Sequence, residues 1–207
     1  MPGADRIGGV ILAGGKGARM NYHDKALMPL GGSTLIEHVI ALASPQTNEL
    51  VISVNRRPER YLSLGLPLIA DDTAAFAGPL VGICSSLNWL RKNRPDGQYS
   101  HLACFAADVP CFPPNFVSTL ATRLEETGAE VALCQCDAQS QPLFSLWSVD
   151  TLPVLTRAIA DGLYGPKLVL PRLHSITVDV PKSHAADFYN VNTEADLLKV
   201  SELLQFV

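Results

Sequence analysis

"IGGVILAGGKGARMNYHDK" (residues 7–25) is an apolar run that breaks into a glycine-rich segment carrying three cations. Its first seven residues have no polar side chain on either face. That predicts a strand buried on both sides, as in parallel sheets covered by helices. Lys16, Arg19 and Lys25 then follow around Gly14, Gly15 and Gly17. Glycine lets backbone N–H groups come close to a ligand, and successive N–H groups can converge on an anion. Arg19 can fork onto two phosphate oxygens, while Lys25 is a mobile point charge. Two readings stand: a surface turn with solvated cations, or a cradle for a polyanion. The Walker pattern is absent, since no Gly-Lys-Ser/Thr opens a helix here, and the dinucleotide fingerprint fails at its third glycine, where Met20 stands.

Outward from this stretch, short apolar runs alternate with amphipathic ones, which predicts an α/β domain with a mostly parallel sheet. Strands are expected at 7–13, 50–55, 67–71, 101–108, 130–135, 142–148 and 175–180. Helices are expected at 33–44, 78–93, 115–128, 150–161 and 194–205. Thr34 and Glu37 have the spacing of a capping box, and Gly128 closes the helix before it. With 207 residues and no evident linker or repeat, a single domain is expected. Its main part would cover about 1–110, and about 111–207 would be an elaboration.

Composition narrows the class. Apolar residues make up 47% and charged ones 17%, a globular rather than a disordered balance, and the net charge of −4 gives no general attraction to nucleic acid. Residues 1–60 hold seven Lys/Arg against five Asp/Glu, whereas the rest holds nine against fifteen, so an anion is better received in the first part. The five cysteines form no CxxC pair and read as reduced, buried thiols of a cytoplasmic protein. No apolar run reaches the roughly 18 residues of a membrane span.

Among single residues, Asp108 stands out. It ends the most apolar strand, where ligands of open α/β sheets bind, and its carboxylate suits Mg2+ or the capping of a turn. Asp71 and Asp72 end another strand. Asn55 follows the strand 50–55, with pocket lining and strand capping both open. The five histidines lack metal-ligand spacing. Cys134 and Cys136 read as packing.

The full spacing of the first segment resembles LAGGxxxRMxxxDK, the signature of the molybdenum cofactor guanylyltransferase family. "SVNR" (53–56), "LIADD" (68–72), "GPLVGI" (78–83), "AADVP" (106–110), "QPLF" (141–144) and "FYNVNTEADL" (188–197) follow in the family's order. The resemblance implies a three-layer Rossmann-like nucleotidyltransferase fold with helices on both faces of the sheet. It implies transfer of GMP from GTP to the terminal phosphate of molybdopterin, bare or molybdenum-loaded, with release of pyrophosphate. Mg2+ is the implied cofactor, and molybdoenzyme apoproteins or other cofactor-biosynthesis proteins are implied partners.

Carried over by position, about 1–110 would bind the nucleotide and about 111–207 the acceptor, and the nucleotide would meet Leu12, Ala13, Gly14, Gly15, Lys25, Asn55, Asp71 and Asp108. Asp71, or its neighbour Asp72, would receive guanine N–H groups. Gly14 favours guanine, since cytidylyl-transferring relatives place alanine there. Arg19, Lys25 and Asp108 would be catalytic, Asp108 as the metal ligand, and Asn190 and Asn192 would orient the acceptor or brace the site. A phosphate nucleophile is already ionised, so no strong general base is needed; charge neutralisation is. CTP with molybdopterin, GTP with another phosphorylated acceptor, and a non-catalytic binding paralogue are the competing readings. "NYH" (21–23) replaces the family's glycine, Glu194 stands where proline is common, and 161–172 lacks the usual basic pair.

Overall fold

The computed structural model describes residues 6–14, 24–71, 78–93 and 99–204. In chain order the elements are β1 (Arg6–Leu12), β2 (Pro29–Leu30), β3 (Ser33–Thr34), α1 (Leu35–Ala43), β4 (Glu49–Ser53), β5 (Leu68–Ile69) and α2 (Pro79–Asn93). They continue with β6 (Tyr99–Ala106), α3 (Phe116–Thr127), β7 (Val131–Cys136), β8 (Gln139–Ser148), α4 (Leu152–Ala160), α5 (Pro166–Val169), β9 (Ser175–Asp179) and α6 (Glu194–Leu204). The main sheet has the order β5-β4-β1-β6-β8-β7-β9. Only β8 is reversed, pairing antiparallel with both β6 and β7. The expected mostly parallel, three-layer architecture is what forms.

Alternation along β1 shows how the layers are built. Ile11 points into a core shared with Ile36 and Val39 of α1 and Phe116 and Leu120 of α3. Its neighbour Val10 points the other way, to Leu80, Ile83 and Leu87 of α2, Leu155 of α4 and Val169 of α5. Both residues are fully buried, which is why the run carries no polar side chain. A third cluster packs Val200 of α6, and Val191 just ahead of that helix, with Leu30 of β2 and Leu35 at the start of α1.

The local signals hold with adjusted ends. The Glu37 carboxylate accepts from the Thr34 N–H and hydroxyl, both at 2.7 Å, so the capping box forms. Residues 33–34 belong to the hairpin and not to the helix, because Gly31 takes a φ of 63° and turns the chain back on itself. Gly128 closes α3 in the left-handed region, with φ 64°. Strand β8 starts at Gln139, three residues before the expected 142, because Asp137 and Ala138 form a two-residue hairpin turn with φ values of 49° and 60°. That turn normally asks for Asn-Gly or Asp-Gly, so Asp-Ala gives little warning of it. The portion 111–207 adds β7, β8 and β9 to the same sheet.

Candidate active site

The site lies at the carboxyl ends of β1, β4, β5 and β6. The chain leaves β1 for β4 on one side and returns as β6 on the other, the crossover point where open α/β sheets leave a crevice. Beyond β1, the Ala13 N–H donates to the Ser53 carbonyl at 2.9 Å, and the Ala107 N–H donates to the Leu12 carbonyl at 3.3 Å. Helix α2 lies close over this end. A Cβ at Gly82 would stand 2.6 Å from Ser53 Oγ and 3.0 Å from Leu12 Cδ2, so only glycine fits without a shift.

Asn55 and Asp71 form one unit here. The Asn55 amide donates to Asp71 Oδ2 at 2.7 Å, and the Asp71 N–H donates to Asn55 Oδ1, also at 2.7 Å. A Cβ at Gly14 would lie 3.5 Å from Asn55 Nδ2, an ordinary contact. Leu12, Ala13, Gly14, Asn55 and Asp71 therefore share one end of the crevice. Asn55 does more than cap a strand: it orients Asp71.

Lys25 leads the second group. It opens the short 3-10 turn Lys25–Leu27, whose Ala26 is buried. Lys25 Nζ donates to Asp108 Oδ2 at 2.5 Å, Asn192 Oδ1 at 2.8 Å and Asn190 Oδ1 at 3.2 Å. Asp108 sits in the turn after β6, two residues beyond the strand's last residue, Ala106. Lys25, the last residue of the stretch 7–25, thus meets a carboxylate 83 residues later in the chain.

The two asparagines arrive on the segment that leads into α6. Asp187 is buried and accepts from the Ser183 and His184 N–H groups, at 2.7 and 3.0 Å. Phe188 then takes a φ of 59°, its ring packed on Phe144 at 5.2 Å between centroids. The Phe188 N–H donates to the Cys111 carbonyl and the Val191 N–H to the Asp108 carbonyl, each at 2.9 Å. Val191 is fully buried, so the residues either side of it face the crevice together. Thr193 and Asp196 close the segment. Asp196 Oδ2 accepts from the Asn192 and Thr193 N–H groups at 2.9 and 2.8 Å. These contacts, the Asn192 one first, hold its carboxyl below the ordinary range.

One carboxylate and two amide oxygens thus surround a cation, here an ammonium. Oxygen donors of this kind suit Mg2+, which takes a few protein ligands and completes its shell with waters and phosphates. Among the described residues no cluster of three or more His, Cys, Asp or Glu could hold a metal by itself. Asp108 is therefore the anionic anchor such an ion would use, with Asn190 and Asn192 beside it.

Gly15, Arg19 and Asp72 lie outside the described residues. The structure brings together the others expected at the site, in the two groups described. Thr193 and Asp196 were not singled out from sequence, although Thr-x-x-Asp ahead of an apolar stretch is a capping pattern. Burial pushes Cys104, Cys111 and Cys134 up to about 12, and all five cysteines are free.

Residues 9–176 match the MobA-like NTP transferase domain family. A molybdenum cofactor guanylyltransferase of Nitrobacter hamburgensis is 34% identical over 196 residues, covering 94% of this chain and 93% of that one. One from Bradyrhizobium is 32% identical over 198 residues, covering 95% and 92%. Among solved structures, a molybdopterin-guanine dinucleotide biosynthesis protein A of Archaeoglobus fulgidus superposes with a TM-score of 0.75 over 97% of this chain and all of its own, at 24% identity. With the family matched across most of its length, the chain belongs to the MobA-like NTP transferase domain family.

Proposed function

We propose that this protein transfers GMP from GTP to the terminal phosphate of molybdopterin, forming molybdopterin guanine dinucleotide and releasing pyrophosphate. The carrying observation is the meeting of Lys25 with Asp108, Asn190 and Asn192 at the mouth of the crevice. Such a pairing of a mobile cation with oxygen ligands is what a reaction between two polyanions requires. The curated relatives, molybdenum cofactor guanylyltransferases at 32–34% identity across nearly the whole chain, support this choice of substrates.

In this reading the base lies against Gly14 and Asp71. Asn55 turns the Asp71 carboxylate toward guanine N–H groups, which the wrong base would leave unpaired. The backbone at 12–14 borders the phosphates, and Arg19, Lys25 and the N–H groups of Gly15 and its neighbours neutralise them. Mg2+, held by Asp108 with Asn190 and Asn192 at hand, would add positive charge at the phosphate oxygens. The acceptor phosphate attacks as an anion, so the site needs no general base. In this reading the protein works in the cytoplasm, as a cofactor-biosynthesis enzyme. No helix among the described residues is long and apolar enough to cross a membrane.

The test is pyrophosphate release by the purified protein with molybdopterin and either GTP or CTP, in Mg2+ buffer. GTP-dependent release that needs molybdopterin is expected. Release with CTP in its place, or nucleotide binding with no release under any acceptor, would refute the assignment.

A further inference from the structure

Tyr61 is wholly buried, yet its hydroxyl does not bond within its own segment. From the 3-10 helix Pro58–Leu64 it reaches Asp24, 37 residues earlier, and donates to Oδ1 at 2.5 Å. The other carboxylate oxygen of Asp24 lies 3.9 Å from Arg60 Nη1. Asp24 immediately precedes Lys25, and its carbonyl accepts the Leu27 N–H that closes the turn carrying the lysine. We propose that Tyr61, with Asp24, is a positioning residue for Lys25: it fixes the backbone from which the lysine side chain reaches the phosphates. This rests on the reading of Lys25 as a phosphate-neutralising group.

The physical reason lies in the lysine stem. Four rotatable carbons give the ammonium a wide reach, so its placement is only as good as that of its Cα. In this structure the far end is held by Asp108, Asn190 and Asn192. That end must exchange partners when a triphosphate binds, whereas the Tyr61–Asp24 contact lies behind the turn and persists. Burial first, and the Asp24 contact next, raise the ionisation of Tyr61 far above the ordinary phenol range, so the hydroxyl stays a donor. A hydroxyl aimed at a carboxylate also makes a stronger bond than one aimed at a neutral carbonyl.

The experiment is a double-mutant cycle on the full chain, read as GTP- and molybdopterin-dependent pyrophosphate release well below each variant's Tm. Tyr61→Phe keeps the packed ring and removes only the donor. A fall in kcat/KM of about tenfold is expected, the scale of one lost hydrogen bond to a charged group. In a Lys25→Ala background the same change should alter the rate less than about twofold, because there is no ammonium left to place. Asp24→Ala should fall as Tyr61→Phe does, and Asp24→Asn, which keeps an oxygen acceptor, should recover much of the loss. A purely structural bond would lower activity by the same factor in both backgrounds, and that result overturns the proposal. So does wild-type kcat/KM in Tyr61→Phe alongside an impaired Lys25→Ala, which leaves the reading of Lys25 standing. Full activity in Lys25→Ala would remove both together.

Discussion

Asn55 and Asp71 hold each other through two hydrogen bonds of 2.7 Å, side-chain amide to carboxylate one way and main-chain N–H to amide oxygen the other. An asparagine used in this manner fixes the rotation of a carboxylate. Asn55→Leu should therefore raise KM for GTP about tenfold and leave kcat within roughly threefold, since orientation of the base contact is lost while the phosphates stay held. Steady-state pyrophosphate release over a GTP series measures both. A change confined to kcat would separate Asn55 from nucleotide recognition.

Lys25 and Asp108 touch each other in this structure, so each removes a charge from the other's surroundings when mutated. Lys25→Ala and Asp108→Ala should each lower turnover on the order of 10² or more, the scale of one electrostatic stabiliser in a transition state. Near-normal turnover of either purified, folded variant would count decisively against the roles given to them. Titrating Mg2+ against the Asp108→Asn variant adds a second readout, because half-saturation should move to higher concentration when the anionic ligand is neutralised.

The sequence carried the architecture well where the information is local. A fully apolar run at 7–13, a Thr-x-x-Glu box at 34–37 and a glycine at 128 each act within a few residues, and each forms, the strand one residue earlier at Arg6–Leu12. The hairpin turn at Asp137–Ala138 was not legible, because two positive φ values there are imposed by the pairing of β7 with β8 and not by the residue types. Site candidates were legible one by one, since strand ends can be found from apolar runs. Their mutual contacts were not. Lys25 meets Asn190 and Asn192 across 165 and 167 residues, and Tyr61 meets Asp24 across 37. Tyr61 in particular has the look of an ordinary core aromatic until its hydroxyl is followed to its partner.

Two glycines at the same end of the sheet should respond differently to a methyl group. Gly82→Ala drives a Cβ to 2.6 Å from Ser53 Oγ and 3.0 Å from Leu12 Cδ2, so those side chains must shift to admit it. Overpacking of this kind costs about 1–3 kcal/mol, and the helix preference of alanine returns up to about 1. A net fall in Tm of about 2–6 °C is expected. Among the described residues Gly14→Ala meets nothing closer than 3.5 Å, so its Tm should hold within about 2 °C. Its effect should appear instead as weaker GTP use, with the GTP-to-CTP ratio of kcat/KM reduced. Thermal melts paired with that ratio distinguish a residue that makes room for a helix from one that makes room for a base.

Asp196 joins stability to the site and gives the clearest pH signature. Its carboxylate accepts from the N–H groups of Asn192 and Thr193 and from the Thr193 hydroxyl, while its own N–H donates to Thr193 Oγ1 at 3.1 Å. These contacts start α6 and hold Asn192 where it meets Lys25. They favour the ionised form, so the folded pKa lies below the unfolded value of 3.8. A carboxyl lowered in this way contributes stability that is fully present above the unfolded pKa and is lost as pH falls through the folded one. Asp196→Ala should accordingly lower Tm at pH 7 by about 2–4 °C, as for the loss of one helix cap of about 1 kcal/mol. The gap between variant and wild type should stay constant from pH 7 to about 5 and close below about pH 4. Melting curves across that range measure it. A gap that persisted undiminished at pH 2–3 would show that packing, and not the charged acceptor, is what Asp196 supplies. At neutral pH, turnover should fall together with Tm, since the same carboxylate places the Asn192 oxygen on Lys25.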